Sequence, residues 1–181
     1  MILWLNGTFG VGKTTTARLV VAGLEGFRAF DPEWVGYLLR ENLKDHEFAD
    51  FQELPSWRRL VPVVADEIAR STGQQLVVAQ AVLDAGYWSE LVGALRLLGH
   101  EVFHIVLDAD PEVVRARIDA DPEGAEIRKW RHDHVDGYVA ARGWLADACD
   151  LLVDTGGRSA DEVACEIVNT STGLPLRARR P

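Results

Sequence analysis

The sequence has little cysteine, no excess of positive charge and no long apolar run. Its two cysteines, Cys149 and Cys165, lie far from any histidine pair, which excludes a disulfide framework and a zinc site of the usual kind. The net charge is -9, and a general nucleic-acid-binding protein would need a positive face to neutralise phosphates. We therefore expect no nucleic acid partner.

The absence of long apolar runs bears on location. No run reaches the about 18 apolar residues that a membrane-spanning helix needs, and the N-terminus lacks the basic flank and cleavage site of a secretory signal. We expect a cytoplasmic protein without a membrane span. The length of 181 residues suffices for one domain with a full hydrophobic core.

Short apolar segments, each followed by a helical pattern, recur along the chain. Within each segment the apolar residues are continuous rather than alternating, which indicates a parallel sheet covered by helices on both faces. The predicted strands are Ile2 to Asn6, "FRAF" before Asp31, "QLVVAQ" up to Gln80, "EVFHIVLD" up to Asp108 and "DLLVD" up to Asp154.

Two segments are longer than a minimal crossover between parallel strands. They are residues 32–72, with the pattern of two helices, and 119–148, rich in arginine. Insertions in nucleotide-binding α/β domains usually lie over the carboxyl ends of the strands, where ligands bind. We expect one domain over residues 1–176, with 32–72 on the acceptor side and 119–148 as a lid, followed by a short basic tail at 177–181.

The stretch "GTFGVGKT" carries the strongest functional signal. Gly7, Gly12, Lys13 and Thr14 match the phosphate-loop pattern G-x-x-x-x-G-K-[ST], and the match lies between a predicted strand and a predicted helix. The glycines let the backbone turn its N–H groups toward a β-phosphate, Lys13 reaches the β- and γ-phosphates, and the Thr14 hydroxyl is a ligand for Mg²⁺. The predicted ATP-binding residues of this loop are Gly7, Thr8, Phe9, Gly10, Val11, Gly12, Lys13, Thr14 and Thr15.

A phosphate loop occurs in GTPases, motor ATPases and small kinases alike. The guanine-binding signature [NT]-K-x-D is missing, because neither Lys44 nor Lys129 stands in that context. Motor ATPases usually have an acidic residue at the end of the third strand, where this sequence has Gln80. Kinases of small metabolites fit better.

Beyond the phosphate loop, four strings carry a family likeness: "WLNGTFGVGKTTTA", "FDPEWVGYLLR", "DFQELPSWR" and "LVVAQAVLD". Together they resemble the tunicamycin-resistance ATP-binding proteins, a branch of the P-loop kinase superfamily near the chloramphenicol and gluconate kinases. The likeness runs from Met1 to about Leu176. It implies ATP binding and protection against a nucleoside antibiotic. We expect a three-layer α/β/α fold with a five-stranded parallel sheet of order 2-3-1-4-5.

Asp31, at the end of the second strand, has two interpretations. In this superfamily that position carries a carboxylate opposite the γ-phosphate, so Asp31 is the candidate general base and acceptor ligand. Alternatively, Asp31-Pro32 is an N-cap followed by proline at the first helical position, as at Asp110-Pro111 and Asp121-Pro122.

Arginines of the lid region are the candidates for stabilising charge on the transferring phosphoryl group. Among Arg115, Arg117, Arg128 and Arg131, we expect Arg128 and Arg131 to be catalytic, whereas a solvated helix face is the alternative for all four. The segment "TGGRS" resembles a loop that brackets adenine, so Gly156 and Arg158 are predicted to bind the nucleotide. Arg117 of the lid region is predicted to bind it as well. An ordinary glycine turn is the alternative for that segment.

The remaining candidates are on the acceptor side. The predicted acceptor-binding residues, besides Asp31, are Arg40, Phe51, Gln52, Trp57, Arg58, Gln80 and Asp84. For Trp57 the alternative is a core position, and for Arg58 a solvated one. We expect Thr14, with Gln80 and Asp84 nearby, to form the Mg²⁺ neighbourhood, in preference to Asp108; the five histidines form no convincing ligand set.

The sequence thus predicts an ATP-dependent phosphotransferase that acts on a hydroxyl of a small molecule, and the family resemblance implies a nucleoside antibiotic such as tunicamycin as the acceptor. Three alternatives remain: a module that sequesters a drug without chemistry, a regulatory ATPase with a protein partner, and a metabolite kinase of the gluconate or shikimate type. The expected cofactors are ATP and Mg²⁺, and the expected assembly is a monomer or a homodimer.

Overall fold

A computed structural model describes residues 1–122 and 124–173, and strands alternate with helices throughout these ranges. The strands are β1 (Ile2–Asn6), β2 (Phe27–Phe30), β3 (Gln75–Ala79), β4 (Val102–Asp108) and β5 (Leu151–Asp154). The helices are α1 (Lys13–Gly23), α2 (Glu33–Asn42), α3 (Pro55–Thr72), α4 (Ala85–Leu97), α5 (Pro111–Ala120), α6 (Ala125–Ala148) and α7 (Ala160–Thr172). A 3-10 turn, Phe51–Glu53, lies between α2 and α3.

The five strands form one parallel sheet of order β2-β3-β1-β4-β5, which confirms the predicted topology. In the centre of the sheet, Leu5 of β1 is level with Ala79 of β3 and with Ile105 of β4. Because all strands run the same way, their carboxyl ends meet at one edge. The polar residues that follow the strands are therefore brought together at that edge.

Helices cover both faces of the sheet. Side chains alternate along a strand, so Leu3 and Leu5 pack with α1 and α7, whereas Ile2 and Trp4 pack with α3 and α4. Both sets are fully or almost fully buried. This two-sided burial is the reason that the strands are continuously apolar in the sequence.

The two long insertions fold as helices. Residues 32–72 contain α2, the 3-10 turn and α3, and residues 119–148 contain all of α6. Helix α6 begins near the glycine loop, where Trp130 contacts Phe9, and ends against β4, where Leu145 packs with Val106. Helix α6 therefore extends from the phosphate loop to the face of the sheet on which the Val106 side chain lies.

The predicted basic tail, 177–181, lies outside the described residues. Among the helices of residues 1–122 and 124–173, none is both long enough and apolar enough to cross a membrane.

Candidate active site

The glycine loop connects β1 to α1 at the carboxyl edge of the sheet. Gly7, Gly10 and Gly12 have φ angles of 128°, 79° and 94°, in the region that favours glycine. At Gly7 a Cβ atom would lie 2.4 Å from the carbonyl oxygen of Leu107, so a larger residue would push the loop off β4. Within the described chain, no side chain caps the N-terminus of α1. Its first N–H groups and its positive dipole end are thus available to an anion.

Lys13 lies inside this loop. Its Nζ donates a hydrogen bond to the carbonyl oxygen of Thr8 at 2.8 Å and lies 5.4 Å from the centre of the Phe9 ring. Burial lowers the pKa of Lys13 to about 7, the negative charge of Glu33 opposes this shift, and the positive charge of Arg131 adds to it. A polyphosphate in the loop would supply the counter-charge that the desolvated amine lacks.

Two buried polar atoms near this edge have no hydrogen-bond partner in the described part of the chain. They are Oγ1 of Thr8, in the loop after β1, and Oε1 of Gln80, directly after the neighbouring strand β3. Buried polar atoms in native proteins are nearly always paired with protein groups or water. Both atoms are therefore candidates for contact with a ligand or with ordered water.

A Mg²⁺ ion at this edge would be bound by few protein ligands. No group of three or more His, Cys, Asp or Glu residues with ligand geometry occurs within the described ranges. Mg²⁺ in nucleotide sites is usually bound by one or two side chains together with phosphate oxygens and waters. The exposed residue Thr14 and the unpaired Gln80 Oε1 fit this mode of binding.

Asp31 follows β2 and stands one residue before Pro32, the N-cap of α2, where its side chain makes a cap-like contact. Its Oδ1 accepts a hydrogen bond from the backbone N–H of Glu33 at 2.9 Å. Asp110, in the identical tripeptide Asp-Pro-Glu, accepts one from the N–H of Glu112 at 2.8 Å. The cap contact uses one carboxylate oxygen of Asp31, so it does not exclude a catalytic role for the other.

Glu33 is a residue of the site that the sequence did not point to. Burial raises its pKa, with a further contribution from the charges of Asp31 and Asp50, while the charge of Lys13 lowers it. Tyr37 donates its hydroxyl to Oε2 at 3.2 Å. Glu33 thus lies within electrostatic range of the phosphate-loop lysine, and Asp31 lies within range of Glu33. The sequence held one signal for this residue, because Glu33 is the third residue of an Asp-Pro-Glu tripeptide that occurs again at Asp110.

The lid arginines divide into those that face the loop and those that do not. Nη1 of Arg131 pairs with Oδ2 of Asp121 at 2.8 Å, and its charge reaches Lys13. Arg128 donates to the carbonyl oxygen of Asp121 at 3.3 Å. Arg115 forms an exposed ion pair with Asp136 at 2.7 Å. Of these, the structure brings Arg131 toward the phosphate loop.

Arg117 and the loop after β5, both predicted to bind the nucleotide, lie together. Arg117 donates to Oγ1 of Thr155 at 3.1 Å and to its carbonyl oxygen at 2.6 Å. Thr155 in turn donates its N–H to the carbonyl oxygen of Asp108 at 2.8 Å, so the loop is joined to β4 next to the phosphate loop. Gly156 is part of this loop, and its N–H bonds to Asp154.

Arg158 is turned toward α7. It donates to the carbonyl oxygens of Asp154 and Glu162 at 3.1 Å each and forms an ion pair with Glu166 at 2.7 Å. These contacts account for a structural role at the start of α7. Nucleotide binding by Arg158 stays a prediction.

An aromatic stack joins helix α6 to the phosphate loop. The ring centre of Phe9 lies 4.7 Å from that of Trp130 and 5.5 Å from that of His134, and these two residues of α6 are 4.1 Å apart. Trp130 and His134 are four residues apart and so share a face of the helix. No local pattern in the sequence pairs them with Phe9, because the contact spans more than 120 residues.

On the acceptor side, the structure favours the core alternative for Trp57. This side chain is fully buried, donates to the carbonyl oxygen of Pro32 at 3.1 Å and packs on Phe51, with ring centres 5.3 Å apart. It therefore orders the insertion rather than lining a cleft. Arg40 lies over the ring of Phe48 at 5.8 Å.

Arg58 is buried, so its solvated alternative does not hold. It is 8% exposed, pairs with Glu90 at 2.7 Å and lies 4.1 Å above the ring of Tyr87. It also donates to the carbonyl oxygens of Gln52 and Glu53. The two carbonyl contacts stabilise the turn between α2 and α3, and the contacts with Glu90 and Tyr87 join α3 to α4.

Three of the predicted acceptor residues converge on the connection after β3. Gln80 begins this connection, and Asp84 ends it as the N-cap of α4, accepting from the N–H of Tyr87 at 2.8 Å. Gln52 reaches it from the insertion and donates Nε2 to the carbonyl oxygen of Ala81 at 3.0 Å. Residues 80–84, called here the acceptor segment, lie beside the phosphate loop because β3 is next to β1.

Asp108 is occupied by neighbouring side chains. It accepts from the Tyr138 hydroxyl and from both Nε and Nη2 of Arg142, at 3.0 and 2.7 Å for the latter. Burial and the Asp108 carboxylate raise the pKa of Tyr138. The cluster explains the position of Asp108 without a metal ion.

Comparisons with known proteins agree with this geometry. The family model described as an AAA domain matches residues 2–128. The tunicamycin resistance protein of Deinococcus radiodurans is 30% identical, with 98% of each chain covered and a TM-score of 0.73. No sequence among the curated proteins matches the chain.

Two more distant structures show the fold alone. A sugar kinase from Janibacter sp. HTCC2649 is 15% identical over 99% of this chain and 98% of its own, with a TM-score of 0.69. The APS kinase of Mycobacterium tuberculosis, solved with AMPPNP and APS, is 21% identical over 95% and 97%, with a TM-score of 0.62. With the glycine loop, the sheet order and the full-length relative in place, the chain belongs to the tunicamycin-resistance proteins within the P-loop kinase superfamily.

Proposed function

We propose that this protein transfers the γ-phosphoryl group of ATP to a hydroxyl of a small molecule. The observation that carries the proposal is the electrostatic arrangement around Lys13. A desolvated amine in a phosphate loop is within range of a second cation, Arg131, and of the Glu33 carboxylate, which is itself within range of Asp31. Phosphoryl transfer needs cations at the phosphates and a proton acceptor at the attacking hydroxyl.

On the donor side, the loop from Gly7 to Thr15 would cradle the phosphates, with Lys13 at the β- and γ-phosphates. Arg117 and the loop at Gly156 would enclose the adenine, with Arg158 at its rim. Mg²⁺, held by the Thr14 hydroxyl and the phosphates, would neutralise charge on the β- and γ-oxygens. Arg128 and Arg131 would stabilise the transferring group once the lid adjusts to the nucleotide.

On the acceptor side, Asp31 would take the proton of the attacking hydroxyl. Glu33, as a second nearby carboxylate with a raised pKa, would hold the acceptor or share its proton. Gln52, Gln80 and Asp84 converge on the same segment and would bind the acceptor's polar groups, with Arg40 and Phe51 farther along the insertion. Trp57 and Arg58 would support this surface from beneath.

The acceptor we propose is a nucleoside-type antibiotic such as tunicamycin, because the full-length relative is a tunicamycin resistance protein. The rival functions are sequestration of the drug with ATP as a structural ligand, regulated ATP hydrolysis, and phosphorylation of an ordinary metabolite. The cytoplasm, where ATP is abundant, is the expected location. In this proposal, residues 1–176 act as one unit, with acceptor insertion 32–72 and lid 119–148, in a monomer or homodimer.

The test is to incubate the protein with ATP, Mg²⁺ and a panel of nucleosides, sugars and antibiotics, tunicamycin included, and to search for a mass increase of one phosphate. A phosphorylated antibiotic supports the proposal, and a phosphorylated sugar or metabolite favours the ordinary kinase. ATP hydrolysis without a modified acceptor favours the regulatory ATPase. Tunicamycin binding without turnover favours sequestration.

A further inference from the structure

Asn6, the last residue of β1, connects the phosphate loop to the acceptor segment. Its Oδ1 accepts from the N–H of Gly7 and from the N–H of Val82, both at 2.8 Å. Its Nδ2 donates to the carbonyl oxygen of Val82 at 3.0 Å and contacts Nε2 of His104 at 3.2 Å. Asn6 is fully buried, and the whole hydrogen-bonding capacity of its amide is used.

These contacts determine the orientation of both side chains. Gly7 and Val82 present N–H donors, so the atom facing them must be the Asn6 oxygen. His104 Nδ1 lies 3.1 Å from the carbonyl oxygen of Ala148, which can only accept, so Nδ1 carries the proton. Nε2 is therefore the acceptor for Asn6, and a neutral His104 satisfies every member of the network.

The surroundings of His104 keep it neutral. It is 2% exposed and stacks on Trp88, with ring centres 3.9 Å apart, and burial lowers its pKa. The charged group that faces it is Asp150, whose Oδ2 accepts from the His104 backbone N–H at 2.7 Å. The sides toward α4, α6 and β1 present Trp88, Trp144 and the Asn6 amide, none of which titrates.

The acceptor segment is otherwise held by side chains of several elements. Trp4 donates Nε1 to the carbonyl oxygen of Gln80 at 3.1 Å, Trp144 donates to that of Leu83 at 3.0 Å, and Gln52 donates to that of Ala81 at 3.0 Å. These three anchors hold the segment to the core and to the insertion. Asn6 differs because its amide also binds the first residue of the phosphate loop.

We propose that Asn6 and His104 are positioning residues: Asn6 sets the distance between the phosphate loop and the acceptor segment, and His104 holds the Asn6 amide in the orientation that does so. The inference rests on the proposed phosphoryl transfer. Reacting atoms must approach to about 3–3.5 Å, and a misplacement of about 1 Å can cost roughly 10²-fold in rate. A shift of one loop against the other therefore slows transfer while leaving ATP bound.

The test compares His104→Leu with His104→Gln. Leucine removes the acceptor for Asn6, whereas a glutamine oxygen can replace Nε2. We expect His104→Leu to lower turnover by about 10- to 100-fold, with ATP affinity within about threefold of wild type, and His104→Gln to restore most of the rate. Equal rates in the two variants would overturn the proposal.

The matched control is His100→Leu, which breaks the buried contact of His100 with Asp66 at 2.9 Å, away from the phosphate loop. It should lower the melting temperature without lowering turnover below the melting range. If His100→Leu slows turnover as much as His104→Leu does, lost stability explains both and the proposal fails.

Should His104→Leu not fold, a complementary pair of variants replaces it. In Asn6→Asp the second oxygen faces the unprotonated Nε2 of His104 and the carbonyl oxygen of Val82, so turnover should be low at pH 8 and recover as acid protonates His104. Adding His104→Gln, whose amide can donate, should restore turnover at pH 8. The absence of both recoveries contradicts the proposal.

Amide hydrogen exchange does not require phosphoryl transfer, so it tests this inference separately from the proposed function. Amide hydrogen exchange of residues 80–84 should slow when a non-hydrolysable ATP analogue binds wild type or His104→Gln, and should not slow in His104→Leu. If wild type phosphorylates nothing, the proposed function fails, and the exchange result alone decides whether Asn6 and His104 couple the two loops. Equal protection in all three proteins would refute that coupling.

Discussion

The phosphate loop and the acceptor segment follow adjacent strands, yet they are built in opposite ways. The loop is a continuous run, Gly7 to Thr15, whose own backbone and Lys13 form the anion site. The acceptor segment is held by side chains from β1, α6 and the insertion. A site for a constant ligand, the triphosphate, can be made by one local motif, whereas a site for a particular acceptor is assembled from distant parts of the chain.

The two sides also differ in charge. In the proposed site, the donor side has Lys13, Arg117 and Arg131, whereas the acceptor side has Asp31 and Glu33. The cations match a polyanion, and the carboxylates match a hydroxyl that must lose a proton. Substitutions on the two sides should therefore separate nucleotide binding from catalysis.

The largest effect is expected for Lys13→Ala on the donor side. In the proposed site the lysine would interact with phosphates in the ground state and the transition state, so ATP affinity should fall by about 10- to 100-fold, and turnover should fall as well. Isothermal titration with ATP and a turnover assay measure the two. Lys129→Ala is the control, because Lys129 forms an exposed pair with Asp133 at 2.8 Å. Unchanged ATP affinity in Lys13→Ala would remove the lysine from the phosphate site.

On the acceptor side, Asp31→Asn should affect chemistry alone. Asparagine keeps the shape and the cap but cannot accept the proton, so turnover should fall by roughly 10²-fold with ATP affinity near wild type. Asp110→Asn is a matched control, because Asp110 makes the same cap contact in the same tripeptide on α5. Near-normal turnover in Asp31→Asn would leave the cap as its role and move the search to Glu33 and Asp84.

A proton should accompany ATP binding on the donor side. With a pKa of about 7, Lys13 is mostly neutral at pH 8, and bound phosphates raise the pKa and charge the amine. ATP binding at pH 8 should take up about one proton, and clearly less at pH 6, where the amine is already charged. Titration calorimetry in two buffers of different ionisation enthalpy measures this uptake. Uptake that persists in Lys13→Ala would assign the proton to another group.

The same pKa has a consequence for stability. The folded-state pKa of Lys13 lies below its ordinary value of 10.5, so the unfolded chain binds more protons between about pH 7 and 10.5. The contribution of Lys13 to the free energy of unfolding therefore rises with pH through this window in the nucleotide-free protein. Comparing wild type with Lys13→Ala across the window isolates this contribution.

The smallest effect concerns the packing of the acceptor insertion. A Cβ at Gly36 would lie 2.6 Å from the Phe51 ring, so Gly36→Ala should destabilise by about 1–3 kcal/mol. Gly93→Ala in α4 meets nothing within 4 Å and should be neutral or stabilising by up to about 1 kcal/mol. Urea unfolding measures both, and ATP affinity should stay unchanged in each. A loss of ATP affinity in Gly36→Ala would mean that the two sides are not independent.

Local patterns were enough to predict much of the molecule. Continuous apolar runs identified the strands, and the spacing of Gly7, Gly12, Lys13 and Thr14 identified the anion site, because a strand, a glycine turn and a helix N-terminus are formed by neighbouring residues. The sheet order followed from the family likeness and is confirmed. The caps at Asp110 and Ser159 are likewise local features.

Contacts between distant residues were beyond such patterns. The sequence left Trp57 open between cleft and core, and its complete burial depends on how α3 packs against the sheet. The sequence left Arg58 open between the acceptor side and solvent, and its burial depends on Glu90 and Tyr87, which belong to another helix. Phe9, Trp130 and His134 meet only because α6 begins at the phosphate loop.

The sequence by itself determined the phosphate loop and the strand-helix alternation of this protein, because hydrogen bonds and periodicity over a few residues decide them. Tertiary structure alone decided which side chains surround that loop. Asn6 precedes Gly7 in every conformation of the chain, but its amide can bind Val82 and His104 only after β3 and β4 have paired with β1. Desolvation of Lys13 and its proximity to Glu33 and Arg131 likewise exist only in the folded chain, because burial and Coulomb interactions depend on distance in space.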